Sequence, residues 1–439
     1  MSPSPAPSTR RPPRIACGDV NTMFVTCARL ADPEGVGREP LLIVGGGGGR
    51  GVVTSASYEV RAYGVRAGMP MARARRLCPQ AVVVPVPGAM VREKSAAIEA
   101  VFARWAPRVE MTSVDEGLLD FSGTEDSVYR DRSFAALLQE LRAALVEETG
   151  LTVSFGGATN AMVAKMASEL AKPARGCDTG VLVVAPGEEA AFMAERLLAE
   201  IPGVGPKSQA RFAAAGLVTV RDVLGWSEAA LVASFGEREG RSLAAWARGE
   251  SARGVEDGEP SRSMGRAETF ETDLDTGVAI ETELLRLVGR VAGEMRDEGL
   301  RARNVRVTLR DRDFTTRQAQ RTLDEPLSAD GAIFGVAREL LQRLRRARPM
   351  PARLVGVTLS RFVRDGEPSG RPATQLGLFE SAPAAPRESE RDRRLMEAVD
   401  AVRHRFGRDA VKPAALANHV TEDSPDKLRN PFGGSRGRG

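Results

Sequence analysis

The stretch Arg108-Val109-Glu110-Met111-Thr112-Ser113-Val114-Asp115-Glu116-Gly117-Leu118-Leu119-Asp120-Phe121 decides how this chain is read. Two runs of strand character flank the adjacent carboxylates Asp115 and Glu116. Neighbouring acids repel one another, so their place between strands calls for open solvent or for a cation. Magnesium takes a few carboxylate oxygens together with substrate phosphates. Far upstream, Asp19 closes another apolar run, Ile15-Ala16-Cys17-Gly18. Three carboxylates on neighbouring strands match the protein half of a two-metal phosphoryl-transfer site. A solvated acidic hairpin is the other reading, and these residues alone leave both open.

The 439 residues suffice for about two to four domains. A hydrophobic fraction of 42% supports real cores in a soluble protein. The formal charge is +4, carried mostly by Arg, and this tilts the chain toward anionic partners. Lysine is scarce, occurring only at Lys94, Lys165, Lys172, Lys207, Lys412 and Lys427. Cys17, Cys27, Cys78 and Cys177 show no C-x-x-C spacing, which argues against a zinc site and for a reducing, cytoplasmic setting. His404 and His419 are the only histidines and lie near the C-terminus, so histidine-based acid–base catalysis in the main body is excluded. No apolar run approaches the ~20 residues of a membrane span. Residues 1–13 lack the apolar core of a signal peptide and read as a disordered arm.

Periodicity organises the rest. Residues 14–31 read as strand then helix, and Leu41–Val44 and Gly51–Ser55 as short strands joined by the glycines Gly45 to Gly49. That run lacks the G-K-[ST] ending of a phosphate-binding P-loop and reads as a hairpin tip. Tyr58 and Arg61 share one face of the following helix. Residues 91–106 and 132–148 recur as amphipathic helices, 151–157 as a strand and 160–171 as a helix ending before Lys172-Pro173. Strand, helix, two strands, helix, strand resembles a split βαβ layout, in which a four-stranded sheet exposes one face.

Residues 195–247 look helical and contain Ile201-Pro202-Gly203-Val204-Gly205-Pro206-Lys207. Backbone N–H groups at such a turn suit a phosphate oxygen, although a plain helical connection has the same composition. Residues 248–262 form a polar linker. In Asn304–Arg310, Arg306, Thr308 and Arg310 alternate with apolar residues, and Arg312, Arg317 and Arg321 continue the basic run. An Arg-rich sheet face fits a nucleic-acid backbone, or it is simply solvated. Residues 366–390 have the composition of a disordered linker. They contain Gln375-Leu376-Gly377-Leu378-Phe379, apolar residues suited to a partner's groove. Residues 391–406 read as one helix before a basic tail.

With these motifs in this order, the chain resembles a Y-family DNA polymerase of the bacterial polymerase IV branch, from about residue 14 to residue 380. The resemblance implies an α+β multidomain, right-hand polymerase. Its split βαβ palm spans 14–31 and 88–177, and its small fingers span 32–87. A thumb with a helix-hairpin-helix occupies 178–247, a linker 248–262 and an α/β little finger 263–365. A disordered linker with a clamp-binding peptide follows at 366–390, then a C-terminal helix and basic tail at 391–439.

Carried over residue by residue, Asp19, Asp115 and Glu116 are the catalytic carboxylates and bind two Mg²⁺ ions with the Val20 carbonyl. Asn21 stands where the family usually has Asp, and Ala28 where it tends to have Glu. Phe24 falls on the position that excludes a ribose 2′-OH. Tyr58, Arg61 and Lys172 grip the incoming triphosphate; the family often has Lys at the position of Lys165 as well, where packing and DNA contact are equally open roles. Gly203, Gly205, Lys207, Arg306 and Arg310 contact DNA. Gln375, Leu376, Leu378 and Phe379 dock on the sliding clamp. The implied activity is low-fidelity translesion synthesis by a monomer using primer-template DNA and dNTPs, with no membrane partner. A catalytically silent, clamp-docking scaffold is the alternative. A two-metal nuclease leaves Tyr58, Arg61 and Lys172 without a task, and a pure nucleic-acid-binding module leaves the acids without one.

Overall fold

A computed structural model of the chain describes residues 12–46, 48–124, 129, 132–251, 253–256, 262–364, 388–407 and 410–417. Two compact units account for them. The first takes in residues 12–46 and 51–256, and the second takes in 48–50 and those from 262 onward.

In the first unit, β1 (Ile15–Val20) is followed by β2 (Leu42–Gly45), β3 (Val53–Ala56), β4 (Val82–Val84), β5 (Arg108–Met111), β6 (Glu116–Asp120), β7 (Val153–Ala158) and β8 (Val181–Val183). The main sheet runs β5-β6-β1-β7-β8. Strand β1 is antiparallel to both β6 and β7, and β8 joins parallel to β7. The sheet therefore has five strands where the sequence layout predicted four. The extra strand lies beyond residue 177, and its three residues are too short to stand out as a period-two run.

Two-residue periodicity sorts β1 onto two faces. Ala16 and Val20 point into one apolar cluster with Ile98, Phe102, Leu138 and Leu141, from the helices Gly88–Trp105 and Phe134–Thr149. Ile15 and Cys17 point into another with Val163, Ala164 and Ala167 of the helix Ala161–Leu170. This second face was expected to be open, yet that helix lies against it. Gly156 permits the approach, since a Cβ there would sit 2.0 Å from the Ala164 carbonyl oxygen. The Asn160 side chain starts the helix by accepting from the Val163 N–H at 3.1 Å.

The segment 32–87 forms its own small sheet, β3-β2-β4, with the glycine run at the β2–β3 hairpin connection. The helices Pro206–Ala214, Val220–Leu224, Glu228–Phe235 and Glu237–Ala247 follow β8. Phe212, Val223, Leu231 and Leu243 from these helices share the cluster beneath Ala161–Leu170.

The second unit contains β9 (Ser263–Leu274), β10 (Leu300–Asp311), β11 (Thr316–Leu327) and β12 (Ala352–Arg364) in the antiparallel order β11-β10-β12-β9. The helices Gly277–Asp297 and Asp330–Ala347 cover one face through Leu284, Val288, Val291, Val336, Ala337 and Leu341. The expected C-terminal helix forms at Glu390–Phe406. Arg296 grips its Asp400 with two hydrogen bonds, at 2.6 and 3.1 Å.

Candidate active site

Asp19 and Glu116 are register partners across β1 and β6. The Val20 N–H donates to the Asp115 carbonyl at 2.9 Å, which fixes the acidic hairpin against the end of β1. Period two puts Asp19 on the same face as Cys17, beneath Ala161–Leu170. From that helix Lys165 reaches down. Its Nζ lies 2.5 Å from Asp19 Oδ2 and 2.9 Å from Glu116 Oε2. Lys172, just past the helix end, approaches from the other side, with Nζ 3.1 Å from Asp19 Oδ1. Glu169 closes the cluster, its Oε1 3.0 Å from Lys165 Nζ and 2.9 Å from Lys172 Nζ.

The electrostatics follow from burial opposed by pairing. Asp19 is only 8% exposed. Burial raises its carboxyl above the usual range, against the pull of Lys165 and Lys172. For Lys165, burial acts to lower the ammonium, but the anions around it, Asp19 foremost, hold it above its usual value. Burial likewise works against ionised Glu169, yet Lys165 and Lys172 bring its carboxyl down to about 2. Lys172 is raised by Asp19 and Glu169 in spite of its own burial.

Asp115 faces elsewhere. The Ser113 hydroxyl donates to its Oδ1, and its own N–H donates back to Ser113 Oγ at 3.2 Å. Among the described residues, no three His, Cys, Asp or Glu side chains gather round one point as a metal cage. The donors still suit a hard divalent cation. Two carboxylates converge with oxygen alone, and the Lys165 ammonium already stands between them as a cation.

Asn21 is 4% exposed and points into the sheet, its Oδ1 accepting from Ser154 Oγ at 3.0 Å. Its side-chain oxygen is thereby engaged at the β7 residue paired in register with Asp19. Phe24 follows at the start of the helix Met23–Ala31, half-buried between two apolar clusters. Tyr58 and Arg61 lie on the short helix Tyr58–Arg61, with the guanidinium carbon 5.0 Å from the centre of the phenol ring. Burial raises the Tyr58 hydroxyl, and the charges that act on it include Arg61, Lys172, Asp19 and Glu169. Tyr58 is thus close enough to the carboxylate–lysine cluster to feel its charges.

Gly203 takes a φ of +95°, and Gly205 precedes the helix Pro206–Ala214, with Lys207 exposed in its first turn. On β10, Arg306, Thr308 and Arg310 alternate with buried residues as expected. Arg306 donates to Gln320 Oε1 at 3.0 Å and Arg310 to Thr316 Oγ1 at 2.8 Å, and both lie on the sheet face opposite the helices. The basic run is narrower than its sequence suggests. Arg317 and Arg348 pair with the fully buried Asp311 at 2.8 and 3.0 Å. Arg312 pairs with Asp273 at 3.0 Å, and Arg321 with Glu339 at 2.9 Å. Gln375, Leu376, Leu378 and Phe379 lie outside the described residues.

Lys165, whose role the sequence left open, enters the carboxylate site directly, and Glu169 was missed by the sequence reading. The signal was present: Lys165, Glu169 and Lys172 are spaced i, i+4 and i+7, one face of a helix.

Known proteins resemble this chain over most of its length. The impB/mucB/samB family matches residues 18–169, and its C-terminal domain matches 261–377. A DNA polymerase IV of Desulfatibacillum aliphaticivorans is 36% identical over 92% of this chain and 97% of its own. A DNA polymerase IV of Caulobacter vibrioides is 34% identical over 90% and 92%. A chimeric Y-family DNA polymerase of solved structure superposes with a TM-score of 0.72 over 80% of this chain and all of its own, at 23% identity.

Proposed function

Because the chain belongs to the impB/mucB/samB family and is a Y-family DNA-directed DNA polymerase of the polymerase IV branch, we propose that it performs low-fidelity translesion synthesis by two-metal phosphoryl transfer, with Asp19, Asp115, Glu116 and the Val20 carbonyl holding two Mg²⁺ ions. The observation that carries this reading is the convergence of Asp19 and Glu116 on a cation, with Lys172 at the same point.

Held by Asp19, Asp115, Glu116 and the Val20 carbonyl, Mg²⁺ would supply Lewis acidity toward the primer 3′-OH and neutralising charge for the triphosphate. Asp19 and Glu116 orient the reacting groups from adjacent strands, and Asp115 joins them. Lys172 and Arg61 hold the triphosphate, Arg61 with a planar fork suited to paired phosphate oxygens. Tyr58 lies beneath the Arg61 guanidinium and keeps it in place. Phe24 stands against the sugar and discriminates against a 2′-OH. No side-chain base is required, in keeping with histidines confined to His404 and His419.

Primer-template DNA is gripped by the turn at Gly203, Gly205 and Lys207 and by the sheet face carrying Arg306 and Arg310. Gln375 to Phe379 tether the monomer to a sliding clamp, which raises the effective concentration of enzyme at the primer end. The small sheet β3-β2-β4 brings few side chains to inspect a new base pair, which supports low fidelity and lesion tolerance. Cytoplasmic placement rests on the spacing and scarcity of cysteine. No helix among the described residues is long and apolar enough to cross a membrane.

Primer extension with Mg²⁺ and each dNTP, on intact and lesion-bearing templates, tests the proposal. Extension and bypass by the native chain, lost in Asp115→Ala/Glu116→Ala, support it. No extension by either chain, with DNA and clamp binding intact, favours the scaffold.

A further inference from the structure

Glu169 touches both lysines of the site and neither of the strand carboxylates. Its Oε1 lies 3.0 Å from Lys165 Nζ and 2.9 Å from Lys172 Nζ. Both ammoniums also hold Asp19, so each is shared between a carboxylate on the sheet and one on its own helical segment. The two anions differ in surroundings. The Asp19 side chain is 11% exposed and that of Glu169 is 45% exposed.

A divalent cation on Asp19 and Glu116 cannot share that space with the Lys165 ammonium, which lies 2.5 and 2.9 Å from their oxygens. Like charges at such a separation repel strongly in a partly buried site. Lys165 must therefore give up Asp19 and Glu116 when the metal arrives, and the carboxylate it already touches on its open side is Glu169, one helical turn along. Lys172 faces the same exchange at Asp19.

We propose that Glu169 is a positioning residue that competes with Asp19 for Lys165 and Lys172, easing the entry of a divalent cation and holding both ammoniums ready for the triphosphate. This inference rests on the two-metal reading above. Removal of the Glu169 charge leaves Lys165 pulled only toward Asp19 and Glu116, so the metal competes less well. The effect passes mainly through Lys165 and shrinks where that ammonium is absent, leaving only the share carried by Lys172.

Mn²⁺ titration of the full chain without DNA or dNTP, followed by the electron-spin signal of free Mn²⁺, reads binding directly. Four proteins form a double-mutant cycle: native, Glu169→Gln, Lys165→Met and the double variant. The expected result is a roughly fivefold weaker Kd for Glu169→Gln in the native background and a clearly smaller loss in the Lys165→Met background, where only Lys172 still links Glu169 to Asp19, a coupling of the size seen between neighbouring charged groups. An equal loss in both backgrounds reduces Glu169 to a distant charge and overturns the proposal, as does an unchanged Kd in the native background. Absence of Mn²⁺ binding, or binding that Asp19→Asn leaves intact, overturns the two-metal reading with it.

Discussion

Lys165 Nζ stands 2.5 Å from Asp19 Oδ2, so the buried carboxylate near the end of β1 is neutralised by a lysine from a distant helix. Two carboxylates brought together across β1 and β6 would otherwise repel in a setting where Asp19 is almost fully buried. The lysine is thus part of what lets the two carboxylates lie side by side.

Lys165→Met should destabilise the metal-free protein by up to about 3 kcal/mol, the scale of an unpaired buried charge, with Lys172 still partly neutralising Asp19. Mg²⁺ at a hundred times its Kd returns about 2.7 kcal/mol to any chain that binds it only when folded. Thermal melts with and without Mg²⁺ check this. Mg²⁺ should raise the Tm of Lys165→Met more than that of the native chain, and equal shifts would contradict the lysine's place between the carboxylates.

Phe24 is held between two apolar clusters at the start of the helix that follows β1, so its ring cannot swing freely. Truncation to Ala removes that barrier. The ratio of kcat/KM for dNTP over rNTP should fall at least about tenfold, one RT ln 10 of lost discrimination. Single-nucleotide incorporation with dCTP and CTP measures it.

Arg306 and Arg317 separate binding from stability. Arg306→Ala should weaken DNA binding and reduce the slope of log K against log salt by about 1, leaving the Tm unchanged. Arg317→Ala removes a partner of the fully buried Asp311 and should cost about 3 kcal/mol of folding stability. Fluorescence anisotropy over a salt series, paired with thermal melts, distinguishes the two.

Asn21→Asp would give the chain the acid more usual at this position, yet Asn21 Oδ1 is engaged by Ser154 inside the sheet. The substitution should leave the Mg²⁺ dependence of extension unaltered. Placing a carboxylate there should lower stability by about 1–3 kcal/mol through incomplete solvation. A Mg²⁺ titration and a denaturant melt report the two effects independently.

The sequence carried the fold where periodicity was long and regular. The alternation in β10 placed Arg306, Thr308 and Arg310 on one face, and the apolar recurrence of 91–106 and 132–148 anticipated the helices Gly88–Trp105 and Phe134–Thr149. It failed at β8, whose three residues hold no period, and at Arg317, whose partner Asp311 is opposite in charge but hidden by the strand turn. The carboxylates Asp19 and Glu116 were legible because each stands at one end of a short apolar run, Asp19 after residues 15–18 and Glu116 before Leu118 and Leu119. Lys165 and Glu169 were not, because their meaning depends on a helix lying tightly over Gly156. No local pattern reveals that approach.

The most direct test of the account is the single-turnover rate of nucleotide addition by Asp19→Asn, measured with DNA affinity in parallel. The account predicts a fall of roughly a thousandfold or more, the cost of losing one electrostatic catalytic group, with primer-template affinity close to native. A rate within a few-fold of native, with the same DNA affinity, would contradict the assignment of this site to phosphoryl transfer.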